Sequence, residues 1–199
     1  MQRRVEQVDH TRQRIVEAAA ALHGSLGPAR TTISGVAEAA GVTRVTVYRH
    51  FPDEEALYGA CSAHWLSQQQ VPDPSGWADL KEPLERLRFG LSDLYRFYRD
   101  GSSMLTGIHR DWDALPEGQR HGLREQNRSF REVLLEPFSE TEKLGVLSAV
   151  IGHATAFSTW LSLHRDNGLV NEDCVALMVD LAACARDREP WSDPADAGA

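Results

Sequence analysis

Gly41 and Val42 lie between two short segments of helical apolar spacing, each opened by a threonine, and this arrangement restricts residues 32–57 to a tight pair of helices. In the first segment Ile33, Val36, Ala37 and Ala40 recur at the spacing of one helix face, with Ser34, Glu38 and Ala39 on the other. Thr32 is positioned to cap its start. Gly41 stands where a helix ends in a left-handed residue, and Val42 then turns toward the core. Thr43 caps the next segment, in which Val47 and Phe51, four residues apart, share the buried side with Val42. Pro52 and Asp53 stop this helix and begin another.

That assignment leaves Arg44, Val45, Thr46, Tyr48, Arg49 and His50 without a role in the core. Arginine offers a fork to guanine edges, while valine and a threonine methyl match a thymine methyl in a major groove. Tyrosine, arginine and histidine supply donors to phosphate oxygens, and helix N-termini add backbone N–H groups. The leftover face therefore has the chemistry of a duplex-reading surface.

The pattern Thr32, Val36-Ala37-Glu38-Ala39-Ala40-Gly41-Val42, Thr43, Arg44, Val45, Thr46, Val47, Tyr48, Arg49, His50, Phe51 resembles the TetR family of transcriptional repressors over residues 11–60. The resemblance implies that Thr46, Tyr48 and His50 meet operator backbone or base edges, and that Arg44, Val45 and Arg49 occupy the variable, sequence-reading positions. With the helix-start residues Thr32 and Thr43, these form the expected DNA-binding set. Two departures stand out. Val45 occupies a position where many members have Gly, and Glu54 a position where many have a phosphate-binding Lys. Glu54 suits its own helix N-terminus at the expense of one DNA contact.

Charge divides along the same line. Residues 1–52 hold seven arginines (3, 4, 12, 14, 30, 44, 49) and four acids (Glu6, Asp9, Glu17, Glu38), a net of +3, which leaves −11 for the remainder of a chain whose total is −8. Only the N-terminal quarter suits a polyanion. Arg3 and Arg4 precede the first apolar-periodic segment and read as a solvated terminus or a minor-groove arm.

Nearly every later segment scans as helix, and no strand signal appears. The expected helices cover residues 11–25, then 53 to about 70, 79 or 80 to 99, a shorter one from Ser102 or Ser103, 117–138, 142–166 (capped by Ser139 or Thr141) and 171–186 (capped by Asn171). Residues 71–76 carry two prolines and a glycine and read as a break. The fold class is all-α. Residues 1–55 are the expected three-helix helix-turn-helix DNA-binding domain, with a linking helix to about 70. Residues 56–186 are the larger ligand-binding and dimerisation domain, and 187–199 a disordered tail rich in Pro, Asp, Ala and Gly.

Segment 144–163 is apolar or small almost all round, more surface than one core uses. Val150, Ala154, Phe157 and Leu161 there, with Val175, Met178, Val179 and Ala182 on the last helix, are the expected homodimer interface. Two copies also suit a palindromic operator, because one short helix reads few base pairs. By resemblance the larger domain encloses a pocket for a mostly apolar small-molecule inducer. Trp65, Tyr95, Met104, His109, Trp112, Asn127, Phe130, His153 and Trp160 are its candidate lining, and each alone reads as ordinary core or a satisfied buried polar group.

Catalytic signatures are missing: no phosphate loop, nucleophile elbow or paired-Cys or H-E-x-x-H metal motif occurs. Cys61 and His64 share a face without further ligands, and Cys174 and Cys184 project to different sides of one helix. No catalytic residue, metal or cofactor is expected. The three cysteines read as small core residues of a reducing compartment. Lacking an N-terminal signal pattern and any run of about 20 apolar residues, the chain reads as cytoplasmic, with no membrane partner. The resulting expectation is a ligand-responsive dimeric repressor; the alternative is a DNA-binding regulator that activates, or that answers to a partner protein.

Overall fold

The computed structural model describes residues 2–139 and 144–187, and side chains from Glu6 onward. The expected tail at 188–199, the cap Thr141 and the side chains of Arg3 and Arg4 lie outside the described residues. All regular elements described are helical: α1 Gln2–Leu26, α2 Ile33–Ala39, α3 Arg44–His50, α4 Glu54–Leu66, α5 Pro74–Ala78, α6 Pro83–Asp100, α7 Ser102–Arg110, α8 Glu117–Leu135, α9 Leu144–Ala154, α10 Phe157–Leu161 and α11 Asn171–Asp187. The chain forms two compact units. One comprises residues up to Pro72 with Arg96–Asn127, the other Asp73–Tyr95 with the described residues from Arg128 on.

In the first unit α1 packs on α2, α4 and α7. Its core contains Ile15, Val16 and Ala19 of α1, Ile33, Val36 and Ala37 of α2, Val47 of α3, Phe51 after it, and Leu57 and Cys61 of α4. Burying side chains of this size stabilises by about 1.5–3 kcal/mol each, which holds two seven-residue helices that are too short to persist alone. Gly41 has φ 63°, the left-handed conformation the turn requires. The Gly41 and Val42 amides donate to the carbonyls of Glu38 and Ala37, at 3.0 and 2.9 Å, closing the end of α2. The Arg14 guanidinium adds a donor to the Ala40 carbonyl.

The second unit is built around Trp77, Leu87, Leu91, Leu94, Tyr95, Leu134, Leu147, Ile151 and Trp160, all fully buried. The Trp77 indole donates to Asp93 at 3.0 Å, and Asp93 also accepts the Asp73 amide. Arg86, 3% exposed, donates to the carbonyls of Ala78, Leu80 and Val133 and to the Glu136 carboxylate at 2.6 Å. These bonds satisfy a charge that would otherwise be costly to bury.

Several boundaries differ from the sequence expectation. α1 begins at Gln2 rather than at residue 11. The 71–76 break contains the start of α5, because Asp73 caps it by accepting the Ser75 amide and Pro74 fits a first helical position. α6 starts at Pro83 rather than at 79 or 80; Arg86 pins the preceding turn through the carbonyls of Ala78 and Leu80. The single helix expected over 142–166 is broken: α9 ends at Ala154, Ala156 is extended (φ −73°, ψ 132°), and the chain bends by 58°. Thr155 supports the break by donating its hydroxyl back to Ile151 at 2.9 Å. Residues 162–166 widen into a π turn. Asn171 does not cap α11. Its amide donates to the Tyr95 carbonyl at 3.1 Å, and its oxygen accepts the Trp160 indole at 2.9 Å. Cys61 and Cys174 are buried, but Cys184 is exposed. Among the described residues no single helix is long and apolar enough to cross a membrane.

Candidate nucleic-acid interface

Both threonines expected at helix starts are caps. The Thr32 hydroxyl accepts the Gly35 amide at 3.1 Å, and the Thr43 hydroxyl accepts the Thr46 amide at 3.2 Å. Thr43 and Thr46 also share a hydroxyl–hydroxyl bond of 3.0 Å, which orients Thr46 on the outward side of the first turn of α3. Such a cap contributes about 1 kcal/mol and sets the angle at which the helix starts.

With Val47 fully buried and Phe51 2% exposed, α3 has one side committed to the core. Arg44, Val45, Tyr48 and Arg49 are exposed, and Thr46 and His50 are half-buried beside them. Val45 is 78% exposed, more than any other large apolar side chain described. An isolated valine projecting this far gains nothing from the protein's own core; contact with an apolar group such as a thymine methyl would bury it. Desolvation, with the neighbouring charges of Arg49 and Arg12, holds the His50 imidazole below its usual range.

The structure brings Arg12 to this site from α1. Its guanidinium carbon lies 4.6 Å from the Phe51 ring centroid. Sequence reasoning assigns Arg12 only to the net charge, because nothing local relates it to a phenylalanine at the far end of another helix. Glu54 is exposed at the first position of α4, next to Asp53, whose carboxylate caps that helix by accepting the Ala56 amide at 2.7 Å.

The other candidate sets are placed less uniformly. Of the expected lining residues, Trp65, Met104, His109, Trp112 and Asn127 belong to the first unit, and Tyr95, Phe130, His153 and Trp160 to the second. Trp65 and Met104 line one cleft of about 470 Å³ with Glu17, His64 and Asp100. Trp112 lies beneath the Arg124 guanidinium, while His109 and Asn127 are exposed, so Asn127 is off the buried stripe of α8. In the second unit the Tyr95 hydroxyl donates to Ala154 at 2.8 Å, Phe130 packs on Trp77, and His153 is exposed and bonded to Thr159.

Six of the eight expected dimer residues, Ala154 of α9, Phe157 of α10 and Val175, Met178, Val179 and Ala182 of α11, are buried within the chain itself, and α9 packs on α11. Val150 and Leu161 are half-buried. The large apolar side chains left in the open on α9 and α11 are Leu144 and Val146 of α9 and Leu177 and Leu181 of α11. Among the described residues no group of three or more His, Cys, Asp or Glu is placed to hold a metal. The Cys61 thiol donates to the Tyr58 carbonyl, and burial pushes its pKa up to about 12.

A capped helix pair closed by a left-handed glycine, presenting a polar and cationic outer face, defines a helix-turn-helix DNA-binding domain. Residues 15–61 match the family model described as bacterial regulatory proteins, tetR family, so this helix-turn-helix segment is of the TetR type. An uncharacterised HTH-type transcriptional regulator of Mycobacterium tuberculosis H37Rv is 33% identical over 91 residues, 46% of this chain and 45% of that one. A probable acrEF/envCD operon repressor of Escherichia coli K12 is 38% identical over 61 residues, 31% of this chain and 26% of its own length. These curated relatives are thus matched over less than half their length. The fold extends further: the crystal structure of the regulator PfmR from Thermus thermophilus superposes with a TM-score of 0.63 over 88% of this chain and all of that one, at 19% identity.

Proposed function

We propose that the protein is a dimeric, ligand-responsive repressor that binds a palindromic operator through α3 and is released by a small molecule. The observation that carries the reading is the division of α3, whose Val47 side is sealed in the core while Arg44, Val45, Tyr48 and Arg49 face outward. Thr46 and His50 flank them, and the capping threonines Thr32 and Thr43 present helix N-termini to phosphate.

Dimerisation is assigned to the exposed apolar side chains Leu177 and Leu181, one turn apart on α11, with Leu144 and Val146 on α9. The buried residues of the expected set act from beneath by fixing α9 against α11. Release requires an inducer that binds the DNA-incompetent state more tightly than the competent one. The open cleft bounded by Trp65 and Met104, with Glu17, His64 and Asp100 on its walls, is the candidate place for such a ligand. Repression, rather than activation or control by a partner protein, is favoured by the E. coli relative described as a probable repressor.

Selection of bound duplexes from a random library, followed by promoter fusions carrying the selected site, tests the reading. Enrichment of a two-fold symmetric site, lower reporter output with the protein present, and recovery with an apolar aromatic ligand are expected. Raised reporter output would instead establish the activator alternative.

A further inference from the structure

The arginines of the N-terminal helices separate by what their guanidinium groups already do. Arg14 donates to the Ala40 carbonyl and Arg30 to the Leu26 carbonyl, so both are tied to the protein's own backbone. Arg44 and Arg49 are exposed and lie on the reading helix itself. Arg12 is the additional case. It is exposed, belongs to α1, and has no ion-pair partner among the described residues, yet its guanidinium is seated 4.6 Å above the Phe51 ring.

A ring face restrains a guanidinium without using its N–H donors, because the attraction is between the charge and the π quadrupole. Arg12 is thus held at the C-terminal end of α3, near Arg49 and His50, with its fork open. The seven residues of α3 span about 10 Å, close to the width of a major groove at about 12 Å. A helix of that length in the groove brings the side chains at both its ends near phosphates. Arg44, at the N-terminal end, keeps its sequence-reading position toward base edges. At the other end Arg49 is joined by a cation supplied from outside the motif.

We infer that Arg12, parked on Phe51, is a phosphate-contacting residue that positions α3 on duplex DNA without reading bases. The inference rests on the DNA-binding role proposed for α3. Arg12 would add one phosphate contact per head, or two per dimer.

The test titrates fluorescent duplexes carrying the library-selected site with the full chain over a range of NaCl concentrations. Wild type is compared with Arg12→Gln, Arg12→Lys and Arg44→Ala, with thermal melts confirming that each is folded. Loss of two phosphate contacts lowers the slope of log K against log salt by about 1.8 and weakens binding roughly tenfold per contact at about 100 mM salt. Arg12→Gln should show both effects with the ranking of base-substituted sites unchanged. Arg12→Lys should keep the wild-type slope, and Arg44→Ala should alter the ranking. If Arg12→Gln is folded and keeps the wild-type slope, or alters the base ranking, the Arg12 assignment is wrong while the role of α3 stands. If wild type binds no duplex, the reading of α3 itself is overturned and this inference with it.

Discussion

Asp111, at the C-terminal end of α7, accepts the backbone N–H of Ala29 at 3.1 Å across 82 residues of sequence. Around this bond Arg110 donates to the Leu26 carbonyl at 2.8 Å and Ser103 to the Gly24 carbonyl at 2.8 Å, while Gly107 packs closely on Gly27. Gly27 has φ 88°, and a methyl there would run into Arg110 and Asp111. The Arg110 hydrogen bond, with the Ala29 amide, holds the Asp111 carboxyl at about 2. α7 therefore grips the link between α1 and α2. Asp111→Ala is expected to accelerate amide exchange several-fold at residues 28–31, with little change in α4, as measured by hydrogen–deuterium exchange. Equal exchange in the two proteins would show that the grip does not restrain the link.

His23 is 8% exposed, packs on the Tyr58 ring at 4.9 Å, and has no hydrogen-bond partner for Nδ1. Burial lowers its pKa from 6.5 to about 4. Above pH 6.5 the imidazole is neutral in folded and unfolded chains alike, and its titration does not affect stability. Below that the unfolded chain takes up the proton first, so stability falls between about pH 6.5 and pH 4, by up to about 3 kcal/mol. His23→Phe should flatten this part of the curve when urea midpoints are measured against pH; a variant as acid-sensitive as wild type would assign the loss to other groups.

Leu177 and Leu181 are 46% and 41% exposed on α11. If they meet a second copy, Leu177→Glu combined with Leu181→Glu buries like charges across the two-fold axis and separates the chains. Light scattering at micromolar concentration should then fall from dimer to monomer mass, with far-UV circular dichroism retained because neither side chain belongs to the core. A double variant that stays dimeric would place the interface elsewhere.

Glu54 presents a carboxylate beside the end of α3, where it would face a phosphate-lined groove. Glu54→Lys is expected to tighten binding and steepen the salt dependence by about 0.9 per head. An unchanged slope would mean that this position does not reach the backbone.

Legibility follows the range of the interactions. Thr32, Gly41, Thr43, Val47 and Phe51 act within four residues of themselves, through caps, a left-handed turn and one helix face, so their roles can be read from spacing alone. The break at Thr155–Ala156 cannot, because its residues are compatible with helix and the bend answers to tertiary burial of Phe157 and Trp160. Asn171 is a cap by residue type, but long-range bonds to Trp160 and Tyr95 claim its side chain. The apolar excess of segment 144–163 and of α11 is evident from composition. Which members face inward is not, since α9, α10 and α11 bury six of the eight expected residues against the chain itself. Arg12 is invisible as a site residue for the same reason: its partner Phe51 is distant in sequence.

The most direct measurement is a footprint on the library-selected duplex by the wild-type chain and by Val45→Asp, whose side chain is 78% exposed and whose replacement leaves the core intact. The account predicts two protected half-sites about one helical turn apart for wild type. For the folded variant, with a carboxylate facing the groove, it predicts loss of protection. Protection unchanged by Val45→Asp, or a single unsymmetrical footprint from wild type, would contradict the assignment of α3 as the reading helix of a two-headed regulator.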